Sequence, residues 1–191
     1  MINLAIFASG NGSNAQAIIN HFACNSTICV KLIITNNAMA GVIEKAQMAD
    51  IQVEVIHKTL ISDASYILAI FKKHQIDWVI LAGYLKPIPQ QVISQFPNKI
   101  LNIHPALLPK FGGNGMYGIH IHQAVIAASE ATSGVTIHFV NEHYDEGKII
   151  CQYKIPIEKE WDAAALQNVI LKLEHIIYPV VIETVINSFP Q

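Results

Sequence analysis

Short apolar, β-branched runs alternate along the chain with longer stretches of helical period, a pattern that predicts βαβ units around a mostly parallel sheet. Strands are predicted at Ile2–Ala8, Cys29–Thr35, Gln52–His57, Trp78–Ala82 and Lys99–Ile103, and helices at Ala15–Phe22, Ala40–Ala49, Ser65–His74 and Gln90–Gln95. After residue 110 the pattern changes. Lys110–Gly118 carries four glycines in nine residues, which is loop chemistry, and a helical run follows over Ile119–Ala128. Val135–Val140 and Ile149–Ile157 alternate as strands, and Asn141–Lys148 between them is too short for a crossover helix. The pair is therefore expected as an antiparallel hairpin on an otherwise parallel sheet. Trp161–Phe189 has helical period, with Pro179 expected to kink it or split it in two. The fold expected is α/β: a Rossmann-like, mostly parallel open sheet with helices on both faces and a C-terminal antiparallel hairpin.

Composition narrows the partners. Apolar residues make up 52% of the chain and charged ones 14%, with a net charge of -2, which gives neither a basic nucleic-acid face nor a disordered tail. The apolar runs break well short of the ~18 residues a membrane span needs. Met1–Gly10 lacks a basic leader segment and reads as a strand. Cys24, Cys29 and Cys151 are scattered without a CxxC pair, which fits reduced thiols in a cytoplasm better than a disulfide frame or a zinc site. Nine histidines include His120 and His122 at i, i+2 spacing, with no HExxH and no carboxylate at ligand spacing, so no metal is expected. The expectation is a cytoplasmic protein, monomer or homodimer, that binds small molecules and neither nucleic acid nor membrane.

Candidate chemistry gathers in three loops. In Ile100–Lys110, Asn102 and His104 stand two residues apart, so an extended strand points both to one face, and Pro105 ends the strand there. One offers an amide donor, the other a proton carrier near neutral pH. Ala8–Asn14 leads from a strand into a helix. Gly10 and Gly12 admit close backbone approach to an anion, Ser13 and Asn14 add side-chain donors, and the helix N-terminus adds free N–H groups. Gly10-x-Gly12-x-x-Ala15 meets the loose dinucleotide fingerprint, but the second strand ends in Thr35-Asn36-Asn37 without the acidic residue that would hold a ribose, which favours a phosphomonoester over NAD. Asp145 lies in the hairpin connection, where a lone Asp is ordinarily a turn former. Brought to His104, it would stabilise the protonated imidazole and orient it. Together the three side chains form an acyl-transfer site without a covalent nucleophile. Asn102 would donate to an oxyanion, worth about 3 kcal/mol. His104 and Asp145 would move protons, worth about two to four powers of ten in rate.

With these motifs in hand, the chain resembles the folate-dependent formyltransferase family, and within it the enzymes that act on glycinamide ribonucleotide. The matching segments are Ser9-Gly-Asn-Gly-Ser-Asn14, Leu81-Ala-Gly-Tyr-Leu85, Leu101–Lys110, Gly134–Val140 with Asp145, and Glu174-His-Ile-Ile-Tyr-Pro179. The resemblance implies formyl transfer from 10-formyltetrahydrofolate to the amino group of glycinamide ribonucleotide, a step of de novo purine biosynthesis, with no metal. It implies Asn102, His104 and Asp145 as catalytic residues, and Gly12, Ser13, Asn14 and Glu174 as substrate contacts. It implies Leu85, Lys86, Ile88, Val140, Asn141, Glu142, His143 and Tyr144 as the walls of the folate pocket. It further implies a single formyltransferase domain, residues 1–110 holding phosphate and 111–191 carrying the folate and catalytic loops with the C-terminal helices. Three features depart from familiar members: Lys86 replaces a common Arg, Leu171 stands where a polar phosphate contact is expected, and the Gly112–Gly118 loop is long. The alternatives are another folate-dependent formyltransferase, a formyltetrahydrofolate hydrolase, or a non-catalytic module using the residue 10–14 loop to bind nucleotide phosphate. A tRNA-acting enzyme would need an extra domain and a basic face, and a hydrolase an extra amino-terminal domain.

Overall fold

Alternate side chains of the first strand, β1 (Ile2–Phe7), enter two different apolar cores: Leu4 and Ile6 face one, Ala5 and Phe7 the other. A strand buried on both faces is the mark of a sheet covered on both sides. In this computed structural model, which describes residues 1–189, the chain continues through α1 (Ser13–Phe22), β2 (Ile28–Thr35), α2 (Val42–Met48), β3 (Gln52–Val55), α3 (Ala64–Lys73), β4 (Trp78–Leu81), α4 (Gln90–Gln95) and β5 (Ile100–His104). It ends with α5 (Ile119–Ala127), β6 (Thr132–Phe139), β7 (Ile149–Pro156) and α6 (Ala163–Ser188). These elements follow the predicted ones with end shifts of at most three residues. Helices α1, α2, α5 and α6 fill the first core, α3 and α4 the second.

The seven strands form one sheet in the order β3-β2-β1-β4-β5-β6-β7. Pairings from β3 to β5 are parallel; β5 with β6 and β6 with β7 are antiparallel, one pairing more than the expected hairpin. Strand order reverses between β1 and β4, and at such a switch point the loops diverge and leave a crevice at the carboxyl ends of the strands.

Helix α6 runs unbroken through Pro179, which corrects the expectation of a split. Proline removes one N–H from the ladder and crowds the carbonyl four residues back. Here Tyr178, Pro179, Val181 and Ile182 are all buried, so packing on both sides of the proline outweighs one missing rung. The Tyr178 hydroxyl also donates to the carbonyls of Leu81 (3.0 Å) and Leu101 (3.1 Å), fixing α6 to the last residue of β4 and to the first half of β5. Among the described residues no helix is long and apolar enough to cross a membrane.

Candidate active site

The register of β5 and β6 sets four polar side chains in a square on one sheet face. Asn102 lies opposite His138, and His104 opposite Thr136. Because β6 runs against β5, its end lies beside the start of β5: the Val140 N–H donates to the Ile100 carbonyl at 2.9 Å. The hairpin connection then turns back along β5. Gly147 makes that turn possible, since a Cβ there would sit 1.7 Å from the Phe139 carbonyl oxygen. Asp145 occupies left-handed backbone (φ 61°), which Asp tolerates better than most residues. Its carboxylate reaches Asn102 Nδ2 and His104 Nδ1, each at 3.5 Å, and His138 Nε2 at 3.7 Å. The three residues singled out as catalytic from sequence are thus in contact.

Hydrogen-bond partners fix where the protons sit. His104 Nε2 is 2.8 Å from the Phe111 carbonyl, which can only accept, so Nε2 carries a hydrogen and Nδ1 is the position left to gain one. His138 Nδ1 likewise donates to its neighbour's carbonyl at Phe139 (2.9 Å), leaving Nε2 to accept from Asn102 Nδ2 at 3.1 Å. Burial pushes the His104 imidazole below its ordinary value, against the Asp145 carboxylate and the Phe111 carbonyl that favour the proton. Asp145 does what was expected of it, but desolvation is the larger effect, so His104 is poised as a proton acceptor. Burial raises the Asp145 carboxyl; the His138 contact, the His104 charge and the Gly113 N–H (3.0 Å) outweigh it and hold the group below the usual carboxylate range. The glycine-rich loop therefore clasps the pair, Phe111 holding His104 and Gly113 holding Asp145.

One cavity of about 250 Å³ runs from this cluster to the loop after β1. Aspartates 63 and 162 cap α3 and α6, but α1 has no side-chain cap, so its first N–H groups are open to an anion. Gly12 starts α1 in left-handed backbone (φ 73°), and a Cβ there would lie 2.5 Å from Val42 Cβ. Gly12→Ala is expected to push α2 off the loop, lowering stability by about 1–3 kcal/mol and weakening phosphate binding; thermal melts and phosphate titration of the variant check this. Ser13 lines the cavity as expected. One Asn14 Nδ2 hydrogen goes to Glu174 Oε2 at 2.8 Å, and the Asn14 Oδ1 is buried without a partner among the described residues. Its backbone N–H, in the uncapped first turn of α1, is open to an anion as well.

Glu174 lies in the wall of the same cavity at 6% exposure, far from the solvated helix face a lone helical Glu suggests. Burial raises its carboxyl from 4.5 to about 7, against the Asn14 bond. The folded state then holds this proton more tightly than the unfolded one, so stability falls as pH rises from 4.5 to about 7 and stays lower above, by about 3 kcal/mol. Glu174→Gln is expected to lack that fall, gaining stability over the parent above neutrality but not in acid; denaturant unfolding across this pH window tests it. Leu171 lines the cavity as an apolar residue, and Gln167, one turn earlier, supplies a polar group beside it.

A second cavity, about 500 Å³, opens on the other side of Asn102 and Asp145. Of the residues named above for a folate pocket, Lys86, Ile88, Val140, Asn141, Glu142, His143 and Tyr144 line this cavity together, while Leu85 falls in the first cavity instead. Tyr84, Asn102, Tyr144 and Asp145 border both. Two site residues escaped the sequence reading. His138 carries the Asn102 amide, and its two-residue spacing from Thr136, matching that of Asn102 and His104, was the available signal. His122, weighed only as a metal ligand, lines the first cavity with Nδ1 unpartnered among the described residues, and burial followed by the His104 charge pushes it down to about 4.

A glycine-bearing loop at an uncapped helix start, a second cavity and an Asn–His–Asp cluster where the two cavities meet lie together on a Rossmann-like sheet. The formyl transferase family model matches residues 2–182, and the chain belongs to that family. Within it, the phosphoribosylglycinamide formyltransferase of Haemophilus influenzae is 36% identical over 190 residues, covering 96% of this chain and 86% of that protein. The chloroplastic phosphoribosylglycinamide formyltransferase of Arabidopsis thaliana is 41% identical over 183 residues, 92% of this chain; the chain spans 62% of its length, and 59% of the Vigna unguiculata counterpart. The crystal structure of phosphoribosylglycinamide formyltransferase from Bacillus halodurans superposes with a TM-score of 0.88 at 34% identity, covering 97% of this chain and 96% of that one.

Proposed function

We propose that this chain transfers the formyl group of 10-formyltetrahydrofolate to the amino group of glycinamide ribonucleotide, in de novo purine biosynthesis. The observation that carries the reading is the meeting of two cavities at Asn102, Tyr144 and Asp145, one running to an uncapped helix N-terminus, the other walled by Lys86, Ile88 and the hairpin connection. Gly12, Ser13 and the Asn14 backbone hold the ribonucleotide phosphate, and Glu174 with Asn14 Oδ1 faces the substrate's polar groups. A carboxyl poised near 7 suits capture of an ammonium that must lose a proton to react. Lys86 supplies positive charge towards the anionic end of the folate.

In the reaction the amine nitrogen bonds to the formyl carbon, and the formyl oxygen takes up negative charge. An Asn102 N–H stabilises that oxyanion. His104 Nδ1 receives the amine proton, with Asp145 stabilising the imidazolium, and the proton is returned to folate N10 as the carbon–N10 bond breaks. The chain works as one formyltransferase domain, residues 1–110 supplying the phosphate cradle and 111–191 the catalytic loop and C-terminal helices, in the cytoplasm, as monomer or homodimer, with small molecules as its partners. Purified protein given both substrates, without added metal or ATP, is expected to yield formylated ribonucleotide by mass spectrometry. A crystal soaked with both should show phosphate at Ser13 and the pterin between Ile88 and Val140; phosphate bound elsewhere would overturn the assignment.

A further inference from the structure

Ser9 lines neither cavity, yet its side chain joins their walls. It lies two residues beyond the end of β1, half-buried, one position before the loop that leads into α1. Its backbone N–H donates to the Gly83 carbonyl at 3.1 Å. Its hydroxyl donates to Asn36 Oδ1 at 2.6 Å, and the same oxygen accepts the Leu85 N–H at 3.1 Å. Asn36 is the first residue past β2, and Leu85 stands in the turn after β4. One hydroxyl thus ties together the turns that follow three neighbouring strands, β2, β1 and β4, at the point where strand order reverses.

The two turns on either side of that tie share the first cavity, and one of them continues into the second. Gly10–Asn14 lies on the phosphate side, whereas the segment from Tyr84 through Lys86 to Ile88 passes from one cavity into the other. Gly83, just before Leu85, has left-handed backbone (φ 74°), so the segment has no regular hydrogen-bond ladder of its own to hold it. We infer that Ser9 is a positioning residue for the transfer, locking the Gly83–Lys86 segment, of which Gly83 and Leu85 line the first cavity and Tyr84 and Lys86 line the second, to the phosphate loop and so setting the separation of the two reacting groups. The inference rests on the formyl-transfer reading above. Bimolecular transfer is sensitive to such a setting, because misplacement by about 1 Å can cost a hundredfold in rate.

Ser9→Ala removes the acceptor of the Leu85 N–H and the donor to Asn36 while leaving the backbone bond to Gly83 intact. Hydrogen exchange at the Leu85 amide is expected to accelerate about three- to tenfold, the worth of one hydrogen bond. KM for 10-formyltetrahydrofolate should rise by a similar factor and kcat fall about tenfold or more, with KM for the ribonucleotide within about twofold of the parent. Ser9→Thr, which keeps the hydroxyl, should restore both exchange protection and the folate KM. Parental exchange and kinetics in Ser9→Ala would overturn the proposal, as would an equal rise in both KM values, the sign of a merely structural role. If the parent chain itself fails to transfer formyl, the functional reading fails and the catalytic half of the proposal with it. The exchange result stands apart from that outcome, because it needs no substrate.

Discussion

Asp145→Asn is expected to keep the fold and to lose about two to four powers of ten in the rate of formyl transfer. The substitution is nearly isosteric, and Asn tolerates the left-handed backbone that Asp145 adopts (φ 61°), so the hairpin connection should survive. What changes is the list of acceptors. Around the carboxylate stand the Gly113 N–H at 3.0 Å, Asn102 Nδ2 at 3.5 Å, and imidazole nitrogens of His104 and His138 at 3.5 and 3.7 Å. An amide accepts on one side only and turns an N–H toward the donors on the other. It also carries no charge to stabilise His104 once Nδ1 gains a proton. Since the carboxylate favours the protonated imidazole, its loss lowers the His104 pKa further, and the acid limb of the pH–rate profile should move to lower pH. His104→Ala should lose a comparable factor without any such limb. Single-turnover rates across pH, with circular dichroism and melting temperature as the fold control, test both. Full activity in Asp145→Asn would end the proton-transfer assignment.

Much of this site was legible in the chain because its parts lie on regular elements. The spacing of Asn102 and His104 reads directly as one strand face, and Gly10 and Gly12 between a strand and a helix read as a cradle. Asp145 was legible as a turn residue, while its contact with His104 depends on β6 being antiparallel to β5, a pairing that local periodicity does not encode. The same pairing hid His138, which joins the cluster only through the cross-strand register. Asn14 shows a different limit. Its side chain reads locally as an anion donor, while one of its N–H groups goes to a partner 160 residues away in sequence, and no local pattern announces Glu174 as buried. Pro179 was over-read as a breaker, because propensity weighs one lost hydrogen bond and not the core on both sides of the helix.

Asn102→Ala should lower kcat for formyl transfer about a hundred- to a thousandfold with little change in either KM, if the amide acts on the transition state. Its two N–H groups are unequally held. One is committed to His138 Nε2 at 3.1 Å, an acceptor because His138 Nδ1 is already donating to Phe139. The other points toward Asp145 Oδ1 at 3.5 Å, too long to be strong, and is the group free to turn to an oxygen that gains charge. His138 thereby anchors the amide so that the second N–H needs little reorganisation, which is the source of such donors' effect. Asn102→Asp separates donation from shape. It preserves volume but sets a second carboxylate beside Asp145 and offers no N–H to the oxyanion, so it should be at least as impaired as the alanine variant. Raised KM values at unchanged kcat in Asn102→Ala would instead make the residue a ground-state contact, and the oxyanion role would have to pass to His104.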